Sequence, residues 1–178
     1  KSFAPSGALM NLPGCPPDTV HEGVWHVAAR AKVESCQPYT EFAGIWPLEL
    51  INRVPYSSQF NGRTASFGFG STGYFVYETR EWTPGWYGYY HNTGVPWQPG
   101  VWYGIEYVVD FSRSQFPDPM WSVLVTDEGG SVVLDLPPMH LSGYIWSWVE
   151  PTTVRSMATV PSVYYLDTVE MWRMIPTA

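Results

Sequence analysis

A chain of 178 residues with a net charge of −7 and only 14% charged residues fits a single domain with room for a substantial hydrophobic core. Its two lysines, Lys1 and Lys32, and scattered arginines lack the clustered basic surface that a phosphate backbone requires, so nucleic acid is excluded as an expected partner. No stretch approaches the roughly 18 consecutive apolar residues of a membrane span, while 10 Trp and 12 Tyr exceed what core filling ordinarily demands.

The chain opens at Lys1 with neither methionine nor an apolar leader, which reads as a processed product. Residues 1–20 hold Pro5, Pro13, Pro16 and Pro17 and read as an irregular lead-in to one β-sandwich domain over 1–178. Cys15 and Cys36 are the whole thiol inventory, without metal-site spacing. A Cys15–Cys36 disulfide is expected ahead of two free buried thiols, and closing that loop would contribute roughly 3 kcal/mol. With low lysine and abundant Trp, Tyr and Gly, the bridge points to a secreted or extracellular protein, although no N-x-S/T sequon supports it.

Val24–Glu34 alternates Trp25, Val27, Ala29, Ala31 and Val33 with His26, Arg30, Lys32 and Glu34, the pattern of a half-buried strand. Residues 42–51 suggest a second strand broken at Pro47, and Val54–Gly62 reads as loop. Three short aromatic strands follow at Thr64–Phe69, Gly73–Thr79 and Gly85–Asn92, separated by glycine and proline turns. The longest alternation is Val101–Phe111, where Val101, Tyr103, Ile105, Tyr107, Val109 and Phe111 form one apolar register. This predicts a long inner strand with its odd face buried. Met120–Asp127 alternates again, and Glu128-Gly129-Gly130 turns the chain into Ser131–Leu136, giving an antiparallel meander. Pro137-Pro138 breaks the chain, Leu141–Glu150 reads as a strand with Tyr144, Trp146 and Trp148 on one face, and Pro151–Pro161 reads as a long loop with room for a short helix. Ser162–Met174 is the closing strand. About ten strands with no helical periodicity predict an all-β, two-sheet antiparallel sandwich of jelly-roll type.

Two motif matches carry no chemistry, and a third motif is absent. Gly68–Gly73 fits G-x-G-x-x-G but leads into a β-branched and aromatic run, not a helix. His21, Glu22 and His26 miss zinc spacing and enter a strand, and no G-x-S-x-G is present.

Gly100–Asp110 (GVWYGIEYVVD) followed by MWSVLVTDEGG, together with the C-terminal YYLDTVEMWRM, resembles the strands of concanavalin A-like jelly rolls. Laminin-G-like domains and family 16 glucanases share this outline, which the N-terminal half matches only by strand pattern. The resemblance implies fold more than function, because this superfold hosts lectins, glycosidases, lyases and adhesion modules. The Glu-x-Asp-x-x-Glu strand of family 16 enzymes is absent here, and Glu106 and Asp110 lie about 13 Å apart along a strand, too far for a hydrolytic pair.

Jelly-roll polysaccharide lyases use a Tyr and a His as base and acid, with Arg, Gln or Asn neutralising the uronate. Tyr89, Tyr90 and His91, with Arg80 and Gln98, supply those residue types, but the lyase strands Arg-x-Glu-x-Arg and Gln-Ile-His are missing. The resemblance also implies a structural calcium at Asp167, whose register places it with Val169 and Met171. A salt bridge to Arg is the other reading of that carboxylate. The leading expectation is non-catalytic binding of a polysaccharide or glycan, because sugar C–H faces stack on rings. Trp82, Trp86, Tyr87, Tyr89, Tyr90 and Trp97 form a dense, glycine-spaced cluster for that role, and the same rings also suit a core. An assembly module with exposed aromatics and no glycan ligand is the third reading, and the oligomeric state is not set by the sequence.

Overall fold

The computed structural model describes residues 7–11, 24–40, 43–52, 62–83, 85–110, 120–140 and 153–174. Among them, eleven strands follow in chain order. They are β1 (Gly7–Asn11), β2 (Val24–Cys36), β3 (Gly44–Asn52), β4 (Gly62–Gly70), β5 (Tyr74–Thr83), β6 (Gly85–Pro96), β7 (Trp102–Asp110), β8 (Met120–Thr126), β9 (Val132–His140), β10 (Thr153–Ala158) and β11 (Ser162–Met174). They form a six-stranded sheet ordered β1-β10-β3-β4-β5-β6 and a five-stranded sheet ordered β11-β2-β7-β8-β9, antiparallel throughout. No described segment is a helix long and apolar enough to cross a membrane.

The alternation read from the sequence fixes the inner faces. In β7, between β2 and β8, Tyr103, Ile105, Tyr107 and Val109 are buried while the residues between them are half-exposed. Phe111 lies outside the described residues. Opposite them the six-stranded sheet contributes Ile45, Leu48, Phe67, Phe69 and Phe75, each at 0% exposure. Each such side chain contributes roughly 1.5–3 kcal/mol on burial. Tyr107 also ties the sheets through polar contact. Its hydroxyl donates to the Leu48 carbonyl and accepts from the Phe67 N–H at 3.1 Å, deep in the core.

Four local expectations are corrected. The lead-in is not irregular throughout, because Gly7–Asn11 forms β1 on the edge of the six-stranded sheet, paired with β10. The stretch read as a loop with a short helix contains β10 instead, whose two sides are taken by β1 and β3. Pro47 does not break β3. The register shifts between Ile45 and Leu48, so a bulge absorbs the missing donor. Pro137 and Pro138 lie inside β9, which tolerates them because it is an edge strand.

The expected disulfide is not formed. Cys36 is a free, half-buried thiol packed against the core at the end of β2, and Cys15 lies outside the described residues. The Leu141–Glu150 strand also lies outside the described residues.

Candidate functional site

Each strand of the six-stranded sheet sends alternate side chains away from the sandwich interior. On that outer face Trp46, Val76 and Met157 form a second buried cluster, with Tyr90 half-buried against it. The Trp46 and Tyr90 ring centroids are 5.7 Å apart at 50°. The ladders set Ser66, Glu78 and Tyr90 side by side across β4, β5 and β6. Hydroxyl, carboxylate and phenol therefore share one level, about 4.8 Å from strand to strand. Ser66 and Glu78 are buried, and Tyr90 reaches solvent. Close strand approach underlies this cluster: a Cβ at Gly68 would sit 2.3 Å from the Ile45 carbonyl oxygen and 3.0 Å from the Trp46 ring.

The expected aromatic platform is only partly assembled. Trp97 belongs to the interior. It is 8% exposed, donates its indole N–H to the Gly70 carbonyl at 3.0 Å, and meets Phe69 edge-on at 88°. It packs inward because β6 ends at Pro96 and the chain then turns over the mouth of the sandwich, held by Trp97 N–H donating to the Gly73 carbonyl. Trp82 and Trp86 are directly opposed in the β5–β6 ladder, as are Glu81 and Tyr87, and Thr79 and Tyr89. The side chains of Trp82, Trp86, Tyr87 and Tyr89 lie outside the described residues.

Of the residues suggested for lyase chemistry, Tyr90 and His91 do not converge. Tyr90 and His91 are adjacent in one strand and face opposite ways. Tyr90 leans on Trp46, whereas His91 stacks on Tyr77 at 4.7 Å and bonds Thr79 through Nε2 at 2.7 Å. A strand cannot bring successive side chains to one substrate face. Gln98 is exposed in the β6–β7 turn. Arg80 is opposite Gly88 in the ladder, and its side chain is outside the described residues.

A second feature, on the outer face of the five-stranded sheet, escaped the sequence reading. Two small residues, Ala28 and Gly104, stand at the centre of neighbouring cross-strand rows. One row runs Glu170, Ala28, Glu106 and Leu124, and the next runs Asp167, Arg30, Gly104 and Thr126. The missing side-chain volume leaves a depression of 220 Å³ floored by Ala28 and Gly104. Gly104 is required where it stands, because a Cβ there would lie 2.7 Å from Thr126 Oγ1. Glu106 is held by His26, whose Nδ1 lies 2.6 Å from Oε1, and the imidazole stacks at 5.0 Å and 9° on Trp172. Arg30 lies over the Trp102 ring at 5.2 Å. A glycine inside a strand of otherwise bulky residues was the available signal, since such a glycine often marks close approach of a ligand or backbone.

Asp167 is corrected here as well. It is exposed, on the outer face opposite Arg30, not on the core side with Val169 and Met171. Thr168, at a φ of +51°, is an extra residue that reverses the alternation of β11. The burial that motivated a calcium partner is therefore absent, and no group of three metal-ligating side chains occurs among the described residues.

No protein-family model matches the chain, and no curated protein matches it in sequence. Among solved structures, an endo-β-1,4-glucuronan lyase from the fungus Trichoderma reesei superposes at a TM-score of 0.62 and 7% identity, covering 96% of this chain and 76% of that one. The alginate lyase vAL-1 from Chlorella virus superposes at 0.54 and 14% identity, covering 89% and 74%. The chain folds as a concanavalin A-like jelly roll. The Caenorhabditis elegans galectin LEC-6 aligns over 93% of this jelly roll and 96% of its own chain, at 13% identity and a TM-score of 0.48.

Proposed function

We propose that this jelly roll is a non-catalytic carbohydrate-binding module whose glycan lies across β4, β5 and β6 on the outer face of the six-stranded sheet. The observation that carries the reading is the half-exposed Tyr90 ring, backed by the buried Trp46 at 5.7 Å. A ring that reaches solvent and is backed by a buried indole suits a sugar, which presents C–H faces for stacking. Trp82 and Trp86 stand at even steps along the same ladder from the Glu78–Tyr90 pair, and we assign them the extension of the platform. The fold likeness to proteins named for glucuronan and alginate supports a polysaccharide as ligand class. Non-catalytic binding is favoured over elimination by a Tyr90–His91 pair, whose members face opposite sides of β6.

The test is a glycan array followed by titration of Tyr90→Ala and Trp86→Ala. Each should weaken binding about tenfold, equivalent to ~1.4 kcal/mol. Unchanged affinity in both variants would overturn the placement. Appearance of unsaturated uronate product, lost in His91→Ala, would replace binding by lyase activity.

A further inference from the structure

We propose that the depression on the five-stranded sheet is a second, separate binding site, for a single neutral hexopyranose unit. In each of its two rows a small residue is flanked by hydrogen-bonding groups: Ala28 by Glu170 and Glu106, and Gly104 by Arg30 and Thr126. The 220 Å³ volume is below the roughly 300 Å³ at which drug-sized pockets begin, and so suits one six-membered ring.

Three further observations point to a ligand. Among the described residues neither Arg30 nor Glu170 has an ion-pair partner, although both border the depression. Glu106 is oriented from outside the depression by His26, which is itself clamped against Trp172. Thr168 lines the rim in a left-handed backbone conformation that costs a β-branched residue free energy, and strain of this kind concentrates at functional sites.

The chemistry of the lining selects the ligand class. A guanidinium offers donors, two carboxylates offer acceptors, and the Thr126 hydroxyl offers both. Vicinal sugar hydroxyls, each able to donate and accept, meet all of these at once. An anionic sugar is disfavoured, because Glu170 and the His26-held Glu106 border the depression and Asp167 stands opposite Arg30. This separates the site from any uronate-binding surface and makes it independent of the six-stranded sheet.

The experiment is an amide chemical-shift titration of the intact chain with methyl β-glucopyranoside, methyl β-galactopyranoside and sodium glucuronate. The expected result is saturable shifts at Gly104, Ala28 and the Trp172 indole N–H with at least one neutral pyranoside, and none there with glucuronate. Ala28→Leu, which fills the floor, and Arg30→Gln, which keeps the bulk of the surface, should each lose those shifts. The Arg30 variant secures the reading if the Ala28 variant misfolds. Tyr90→Ala should leave them unchanged, so failure of the six-stranded site and failure of this one are read separately. Absence of saturable shifts at Gly104 with both pyranosides overturns the proposal, as does their persistence in Arg30→Gln or an equal response to glucuronate.

Discussion

Replacing Tyr107 by Phe would remove one oxygen from between the sheets and leave two buried backbone groups, the Leu48 carbonyl and the Phe67 N–H, without that partner. An unsatisfied buried group costs about 1–3 kcal/mol, so Tyr107→Phe should lower the urea midpoint by a loss in that range with the slope unchanged. Cys36 adds a pH dependence. Burial pushes its thiol above the ordinary value. The folded state therefore holds the proton more tightly than the unfolded chain. The resulting stabilisation is complete below the ordinary thiol range and is lost as pH rises through the raised value. Cys36→Ala should flatten the alkaline fall in stability relative to the parent chain, measured by urea unfolding from neutral to alkaline pH. Slow alkylation of Cys36 at neutral pH, where little thiolate forms, is the companion observation.

Among the elements, β11 and β4 invite opposite predictions. At Thr168 a left-handed conformation costs an L-residue roughly 1–2 kcal/mol, while glycine there would raise the entropy of the unfolded chain by about 0.4–1 kcal/mol. Thr168→Gly should therefore gain up to about 1 kcal/mol, visible as a melting point higher by ~2–4 °C. Gly68→Ala should lose about 1–3 kcal/mol or more, because its new Cβ meets the Ile45 backbone and not a side chain that can move away. The strands themselves were legible where period two ran unbroken, as in Val24–Glu34 and Val101–Phe111, and Ser162–Met174 was legible as a strand despite its bulge. Local rules failed where a partner strand decided the outcome. Thr153–Ala158 becomes a strand because two neighbours pair with it, and Pro47 is absorbed by a bulge that no single-strand pattern announces. Asp167 was misassigned for the same reason, since one inserted residue reverses every side chain beyond it. The Tyr89-Tyr90-His91 cluster looked contiguous as text but is divided between two faces by the pleat.

Over the whole molecule, a net charge of −7 repels polyanions at long range, whereas a neutral sugar is held by short-range stacking and hydrogen bonds. Binding of neutral glycans should accordingly change little between low and high salt, measured by titration. The bulge in β11 has one more consequence at this scale. Among the described strands β11 closes one side of the five-stranded sheet, and it carries Val163, Tyr165, Trp172 and Met174 exposed along its length. A straight edge with such apolar ends is a template on which another copy can add its own strand, and the exposed Asp167 and Glu170 between them oppose this. Thr168 cuts the edge into two short, misaligned pieces, so that an incoming strand in register with Val163–Asp167 is out of register beyond it. Deleting Thr168 should restore one continuous edge and raise thioflavin-positive aggregation on standing above that of the parent chain, which would make the bulge a safeguard against polymerisation.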